Sequence, residues 1–251
     1  MRFRFLEHDG PIPFAHRGGA LEGLENTMPA FEASVALGYR YLETDLQVTA
    51  DGVLLTFHDD DLSRTTGRPG KISELTYDEV RTALVGGKEP IPKLEDVLGS
   101  FPDARFNLEP KTEAAVAPFI ETVHRTGSID RICAASFHER HLVQMREALG
   151  PDLCSAMGPI ETARWFLASW IPFGIGVPDV PVAEVPLTKA GLPLVTERSV
   201  TRAHEHDVQV HVWTIDDAHE MDRLLDLGVD GIMTDQPTVL KEVLQRRGQW
   251  S

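Results

Sequence analysis

Two histidines and three carboxylates separate from the rest of the chain once strand alternation is applied, because successive side chains of a strand point to opposite faces. In Tyr41-Leu-Glu-Thr-Asp-Leu-Gln47, the residues Tyr41, Glu43, Asp45 and Gln47 fall on one side. In Phe106-Asn-Leu-Glu-Pro-Lys111, Asn107, Glu109 and Lys111 share a side. Phe14 goes with His16, Thr56 with His58, and Gln209, His211 and Trp213 lie opposite Val208, Val210 and Val212. Three carboxylates gathered in a confined space repel one another and lose hydration unless something neutralises them. Glu43, Asp45 and Glu109 therefore read as oxygen ligands of one hard divalent cation, Mg²⁺ or Ca²⁺, and not of zinc. The competing reading pairs Glu109 with Lys111 and leaves the other two solvated; shared alternation in two separate strands decides for the metal.

His16 and His58 each end a strand pattern, and imidazole suits proton transfer near neutral pH, so the two can serve as acid and base across one mouth. Arg17 and Lys111 can meet an anionic phosphate, the first by its bidentate fork and the second as a point charge. Gly18-Gly19 lets the backbone turn tightly behind Arg17.

These side chains need a scaffold that brings several strand ends together. Strand-like runs at 12–16, 41–48, 53–58, 105–111, 131–136, 153–157, 208–214 and 231–234, with a weaker one at 182–185, alternate with helical patterns near 27–37, 112–126, 139–149, 161–169, 199–206, 218–227 and 238–247. That order predicts a parallel sheet covered by helices, and about eight units without a linker predict a single (β/α)8 TIM barrel whose working face is the C-terminal ends of its strands. Asn26 or Thr27 is placed to cap the first helix. Asp51-Gly52 reads as a hairpin turn, which would make 53–58 antiparallel to the preceding strand. Residues 60–100, rich in Gly, Thr and Pro, read as an insertion above the mouth.

The 251 residues are 42% hydrophobic and carry a net charge of −15, a soluble globular composition that repels polyanions, so no nucleic acid partner is expected. A small anionic substrate needs local cations. No signal-peptide pattern opens the chain and no transmembrane segment is expected, Trp165 to Val182 being broken by prolines. Cys133 and Cys154 read as buried free thiols of a reduced, cytoplasmic protein.

The segments Phe14-Ala-His-Arg-Gly18, Glu25-Asn-Thr27, Leu42-Glu-Thr-Asp45, His58-Asp59, Arg64-Thr-Thr-Gly67, Ile91-Pro-Lys-Leu94, Leu108-Glu-Pro-Lys111, Ser136-Phe137, Val212-Trp-Thr214 and Gly231-Ile-Met-Thr-Asp235, taken in order, closely resemble the glycerophosphodiester phosphodiesterase family. The resemblance implies a (β/α)8 barrel, one divalent cation, and hydrolysis of a small-molecule glycerophosphodiester to an alcohol and glycerol 3-phosphate. It carries His16 and His58 over as the acid–base pair, Glu43, Asp45 and Glu109 as metal ligands, and Arg17 and Lys111 as phosphate contacts; Trp213 joins the substrate-binding set. It also suggests the glycerol 2-hydroxyl as nucleophile, through a cyclic phosphate. Two positions depart from the pattern: Pro110, expected to disturb the strand end, and Asp216, where an Asn contact to substrate is in question.

The alternative activity is that of a lysophospholipase D or sphingomyelinase-D-like lipid phosphodiesterase, for which the aromatic run Trp165, Phe166, Trp170 and Phe173 is the sole support. A non-catalytic ligand-binding barrel is the other. The insertion is expected to wall the alcohol side of the substrate. Asp59 is placed to orient a histidine, Asp60 and Asp61 to be solvated, His138, His141, His204, His206 and His219 to lie on helix surfaces, and His211 to be a satisfied core residue. Headgroup preference, metal identity and oligomeric state are not legible.

Overall fold

The computed structural model describes residues 3–171 and 175–251. Eight parallel strands form the barrel: β1 (Ile12–His16), β2 (Tyr41–Val48), β3 (Arg105–Pro110), β4 (Ile132–Ala134), β5 (Cys154–Ser155), β6 (Val182–Val185), β7 (Gln209–Val212) and β8 (Gly231–Thr234). Their spatial order is β5-β4-β3-β2-β1-β8-β7-β6. A single parallel bridge between Ala156 and Val182 joins the two ends of that order and closes the ring. The helices α1 (Met28–Ala36), α2 (Leu94–Ser100), α3 (Glu113–Thr126), α4 (Glu139–Leu149), α5 (Pro159–Trp170), α6 (Glu197–His204), α7 (Ala218–Leu227) and α8 (Pro237–Arg246) pack outside it.

Alternation sorts the sheet as expected. Outward residues such as Leu42, Leu46, Phe106, Leu108, Val210 and Ile232 join the helices in the main apolar layer. Inward residues Ile12, Phe14, Tyr41, Cys133, Cys154, Val182 and Met233 form a second cluster with Phe3, Phe5 and Leu6 of the N-terminal segment. The filling is tight enough to dictate a residue type: a Cβ on Gly231 would stand 2.8 Å from His211 Cδ2 and 3.0 Å from Phe14 Cε2. Cys133 and Cys154 are free and buried. No helix among the described residues is long and apolar enough to cross a membrane.

Leu54–Thr56 does pair antiparallel with β2, as the Asp-Gly turn implied. Pro110 does not disturb β3, whose register with β2 runs from Tyr41–Arg105 to Leu46–Pro110 and continues through Lys111 N to Leu46 O at 3.0 Å. The missing N–H of proline falls where the ladder makes no demand on it. Thr27 occupies the N-cap of α1 without a side-chain capping bond; its hydroxyl donates instead to Leu24 O.

The expected insertion is shorter than 60–100. Its last seven residues, Leu94–Ser100, are the barrel helix α2, whose Leu94, Val97 and Leu98 face the main core. What remains builds its own small core from Leu55, Phe57, Leu62, Ile72, Val80, Ala83, Val85 and Ile91. The one-turn helices Ser63–Thr66 and Tyr77–Val80 and the hairpin of Leu84–Val85 with Glu89–Pro90 surround it.

Candidate active site

All eight residues singled out from sequence line one cavity of about 230 Å³: His16, Arg17, Glu43, Asp45, His58, Glu109, Lys111 and Trp213. The first seven come from the ends of β1, β2 and β3 and the strand beside them, so one half of the ring supplies the charge. Behind His16 the chain turns through Arg17 (φ 51°), Gly18 (φ 74°) and Gly19 (φ 94°). A Cβ on Gly19 would meet Pro237 Cγ at 2.8 Å, so the loop can lie against α8 only with glycine there. The left-handed backbone of Arg17 is held from both sides, its N–H donating to Glu43 Oε2 at 3.1 Å and its carbonyl accepting from Asn26 N at 2.9 Å.

Buried carboxylates outnumber their cations. Lys111 Nζ lies 2.6 Å from Asp45 Oδ1 and 2.7 Å from Glu109 Oε2. Arg17 Nε lies 3.1 Å from Asp45 Oδ2 without pointing along a hydrogen bond, so that contact is one of charge with charge. Burial raises the Asp45 pKa, but Lys111 and Arg17 outweigh it and hold the group below the carboxylate range. Glu43 has no such partner. Burial, and then the charge of Asp45, push it up to about 7. Glu109 is also raised, burial outweighing Lys111.

Oxygen-only donors with surplus negative charge suit a hard divalent cation. Yet among the described residues no three His, Cys, Asp or Glu side chains converge closely enough to hold an ion as they stand. The Lys111 ammonium accounts for this, because it bridges Asp45 and Glu109 and does with one charge what a divalent ion would do with two.

Each histidine has its own carboxylate. His16 Nδ1 is 2.6 Å from Asp235 Oδ1, and its Nε2 is 3.6 Å from Glu43 Oε2. Burial lowers the His16 pKa, but Glu43 and Asp235 prevail and raise it. His58 Nδ1 is 2.6 Å from Asp59 Oδ1. With Nδ1–H committed to a carboxylate, Nε2 of each ring is left for exchange in the cavity.

Several working residues were not in the predicted set. Asp235 follows β8 and is itself positioned by Asp216, whose Oδ1 accepts from Asp235 N at 2.7 Å and from Thr234 Oγ1 at 2.9 Å. Asp216 is thus a clasp on the partner of His16 and does not line the cavity. Asn26 donates to Asp45 Oδ2 at 3.4 Å. Asn107 donates to the inward Glu184, which burial pushes up to about 8. His211 is fully buried with Nε2 3.0 Å from Gln209 Oε1, but its Nδ1 has no hydrogen-bond partner and faces Glu184 Oε1 at 4.0 Å, so it is only half satisfied.

The far wall of the cavity comes from the segments after β4, β5 and β6 and the first turn of α5: Phe137, Met157, Pro159, Thr162, Pro186, Lys189 and Leu194. None of residues 60–100 lines it, which overturns the expectation that the insertion walls the substrate. The insertion's apolar residues are spent on its own core, and it turns away after Asp59. The aromatic run divides. Trp165 is fully buried and Phe166 packs on the core, whereas Trp170 is exposed, with Arg198 4.7 Å over its ring; Phe173 lies outside the described residues. His141 is buried, with Nδ1 3.2 Å from Ser136 Oγ, and not on a surface. Asp61 is a loop brace, accepting from Ser63 N and Gly70 N.

The sequence profile of the glycerophosphoryl diester phosphodiesterase family matches residues 16–239. A protein of Mycobacterium tuberculosis (strain ATCC 25618 / H37Rv) named probable glycerophosphodiester phosphodiesterase 2 is 36% identical over 253 residues, covering 98% of this chain and 95% of its own. A solved structure from Silicibacter pomeroyi DSS-3 shares the fold with a TM-score of 0.82 at 23% identity, covering 100% of this chain and 99% of that one. An Oleispira antarctica phosphodiesterase solved in complex with the product sn-glycerol-3-phosphate has a TM-score of 0.79 at 23% identity, covering 94% of this chain and 97% of that one.

Proposed function

The chain belongs to the glycerophosphoryl diester phosphodiesterase family and is a phosphodiesterase, and from that premise we propose that it hydrolyses glycerophosphodiesters to an alcohol and glycerol 3-phosphate by acid–base catalysis from His16 and His58. The observation that carries this reading is the matched pair of 2.6 Å bonds, His16 to Asp235 and His58 to Asp59, which aim two imidazoles into one cavity in the same tautomer. One Nε2 takes the proton of the glycerol 2-hydroxyl as its oxygen bonds to phosphorus, the other protonates the departing alcohol as its P–O bond breaks, and water then opens the cyclic phosphate to glycerol 3-phosphate with the two proton transfers reversed. Arg17 and Lys111 contact the phosphoryl oxygens, and Trp213 borders the bound diester. Glu43, Asp45 and Glu109 would hold one divalent cation, Mg²⁺ or Ca²⁺, which when bound supplies positive charge to the phosphoryl oxygens. The buried thiols of Cys133 and Cys154 favour a cytoplasmic setting.

Assay of glycerophosphocholine turnover with and without EDTA, for the wild type and for His16→Ala and His58→Ala, tests the proposal. Chelation should abolish turnover, and each substitution should lower kcat on the order of 10²- to 10⁴-fold. Wild-type turnover by His58→Ala removes that residue from the mechanism.

A further inference from the structure

The insertion contributes nothing to the cavity wall, yet it delivers one side chain to the back of the site. Arg64 stands on the one-turn helix Ser63–Thr66, which is bound to the rest of the insertion through Gly86 N to Thr65 O at 2.8 Å and Leu62 N to Gly70 O at 3.0 Å. Its guanidinium grips two carboxylates at once. Nε and Nη2 donate to Asp59 Oδ2 and Oδ1 at 2.5 and 3.1 Å, and Nη1 and Nη2 donate to Glu25 Oε2 and Oε1 at 2.8 and 2.6 Å. Each carboxylate also holds a site residue, through the oxygen that Arg64 Nη2 grips. Asp59 Oδ1 binds His58 Nδ1 at 2.6 Å, and Glu25 Oε1 accepts from Arg17 Nη1 at 3.2 Å.

We propose that Arg64 is a positioning residue that ties the His58 imidazole to the Arg17 guanidinium, through the continuous run His58, Asp59, Arg64, Glu25, Arg17, so that the proton-transfer group and the phosphate grip are set together. The proposal rests on the roles given to His58 and Arg17 above. An exposed ion pair ordinarily does little. Here the Arg64 side chain is 48% exposed, but Glu25 and Asp59 are only 15% and 22% exposed, and both are already committed to the site. Two back-to-back bidentate forks use the planar geometry of guanidinium, which a single ammonium cannot reproduce. The small core of Leu55, Leu62, Ile72 and Val80 fixes the helix that carries Arg64, and through it the insertion acts on the site from outside the cavity.

The test compares Arg64→Ala and Arg64→Lys with the wild type in the full chain. Both variants should lose kcat and gain KM together, on the order of 10- to 100-fold in kcat/KM, with little change in melting temperature. Methylguanidinium should restore part of kcat to Arg64→Ala and none to His58→Ala. Calorimetry with inorganic phosphate should show weaker binding in both Arg64 variants, and the downfield His58 Nδ1–H proton resonance should shift or broaden. Wild-type kcat and KM in Arg64→Ala would overturn the coupling, as would a loss that methylguanidinium leaves untouched and that follows melting temperature. If the wild type turns over no glycerophosphodiester, the functional reading fails, while altered phosphate affinity and His58 resonance in the Arg64 variants would still uphold the linkage.

Discussion

His16 and Asp235 stand 219 residues apart and share a 2.6 Å hydrogen bond. Strands β1 and β8 are neighbours in the ring, paired from Ile12–Gly231 to Ala15–Thr234, so the first strand's histidine can reach the loop that leaves the last. Asp235→Asn should keep the approximate geometry but lose the charge that favours Nδ1–H and supports the imidazolium. We expect kcat to fall on the order of 10- to 100-fold with KM little altered, in steady-state assays; kcat within twofold of the wild type would show that His16 needs no such partner.

Glu43 is the carboxylate with no lysine or arginine side chain paired to it, so it should be the most sensitive reporter of metal. Titration calorimetry with Mg²⁺ and with Ca²⁺ should find one site in the wild type and at least about tenfold weaker binding in Glu43→Gln. Activity that survives exhaustive chelation would remove the metal from the proposal.

Headgroup preference should follow the far wall and not the insertion. Lys189 is the cation there, exposed on the hairpin of Thr188–Lys189 with Leu192–Pro193, and it lines the cavity. Lys189→Glu should raise kcat/KM for glycerophosphocholine relative to glycerophosphoglycerol, by about three- to tenfold, through local charge alone. An unchanged ratio across a headgroup panel would place selectivity elsewhere.

His211 should contribute an acid-sensitive part of the stability. Burial lowers its pKa to about 3, from the ordinary value of 6.5, so the unfolded chain binds a proton that the folded one refuses. The stability this group allows is present above the unfolded value and is lost as pH falls from about 6.5 toward 3, by about 2 kcal/mol at pH 5. Glu184, the titratable group facing it, is raised to about 8 and acts in the opposite sense, adding stability as pH falls from about 8 toward its ordinary value, so only the difference between wild type and a His211 variant isolates the histidine. Between pH 7 and pH 5, urea unfolding should therefore show the wild type losing stability relative to His211→Gln. Equal changes would mean that the folded barrel admits the proton.

The charged face of the cavity was legible because alternation is local: Glu43 and Asp45 are two residues apart on one strand, as are Glu109 and Lys111, and no knowledge of the ring is needed to put each pair on one side. Asp235 was visible only as part of a motif, since its bond to His16 exists by virtue of the closure of β8 onto β1. Helix α2 was hidden for a different reason. Leu94, Val97 and Leu98 have helical spacing behind an acidic first turn, but the glycines and prolines before them made the whole stretch read as loop. Apart from Phe137, which stood in a motif, the far wall gave no signal, because Met157, Thr162, Lys189 and Leu194 meet through the curvature of the barrel and not through any spacing in the chain.

The ring is uneven in how it is sewn. On the reactive side β2 and β3 are paired without interruption from Tyr41–Arg105 to Leu46–Pro110. On the other side β5 is two residues long and meets β6 through the single Ala156–Val182 bridge and the bond of Met157 N to Val182 O at 2.7 Å. Few ladder bonds mean a low cost of local opening. The stave expected to yield first is thus the one bearing Ala156 and Met157 of the far wall, while the staves carrying His16, Glu43, Asp45 and Glu109 should stay in register. A larger alcohol admitted at that seam would then leave the proposed acid–base pair and metal ligands unmoved.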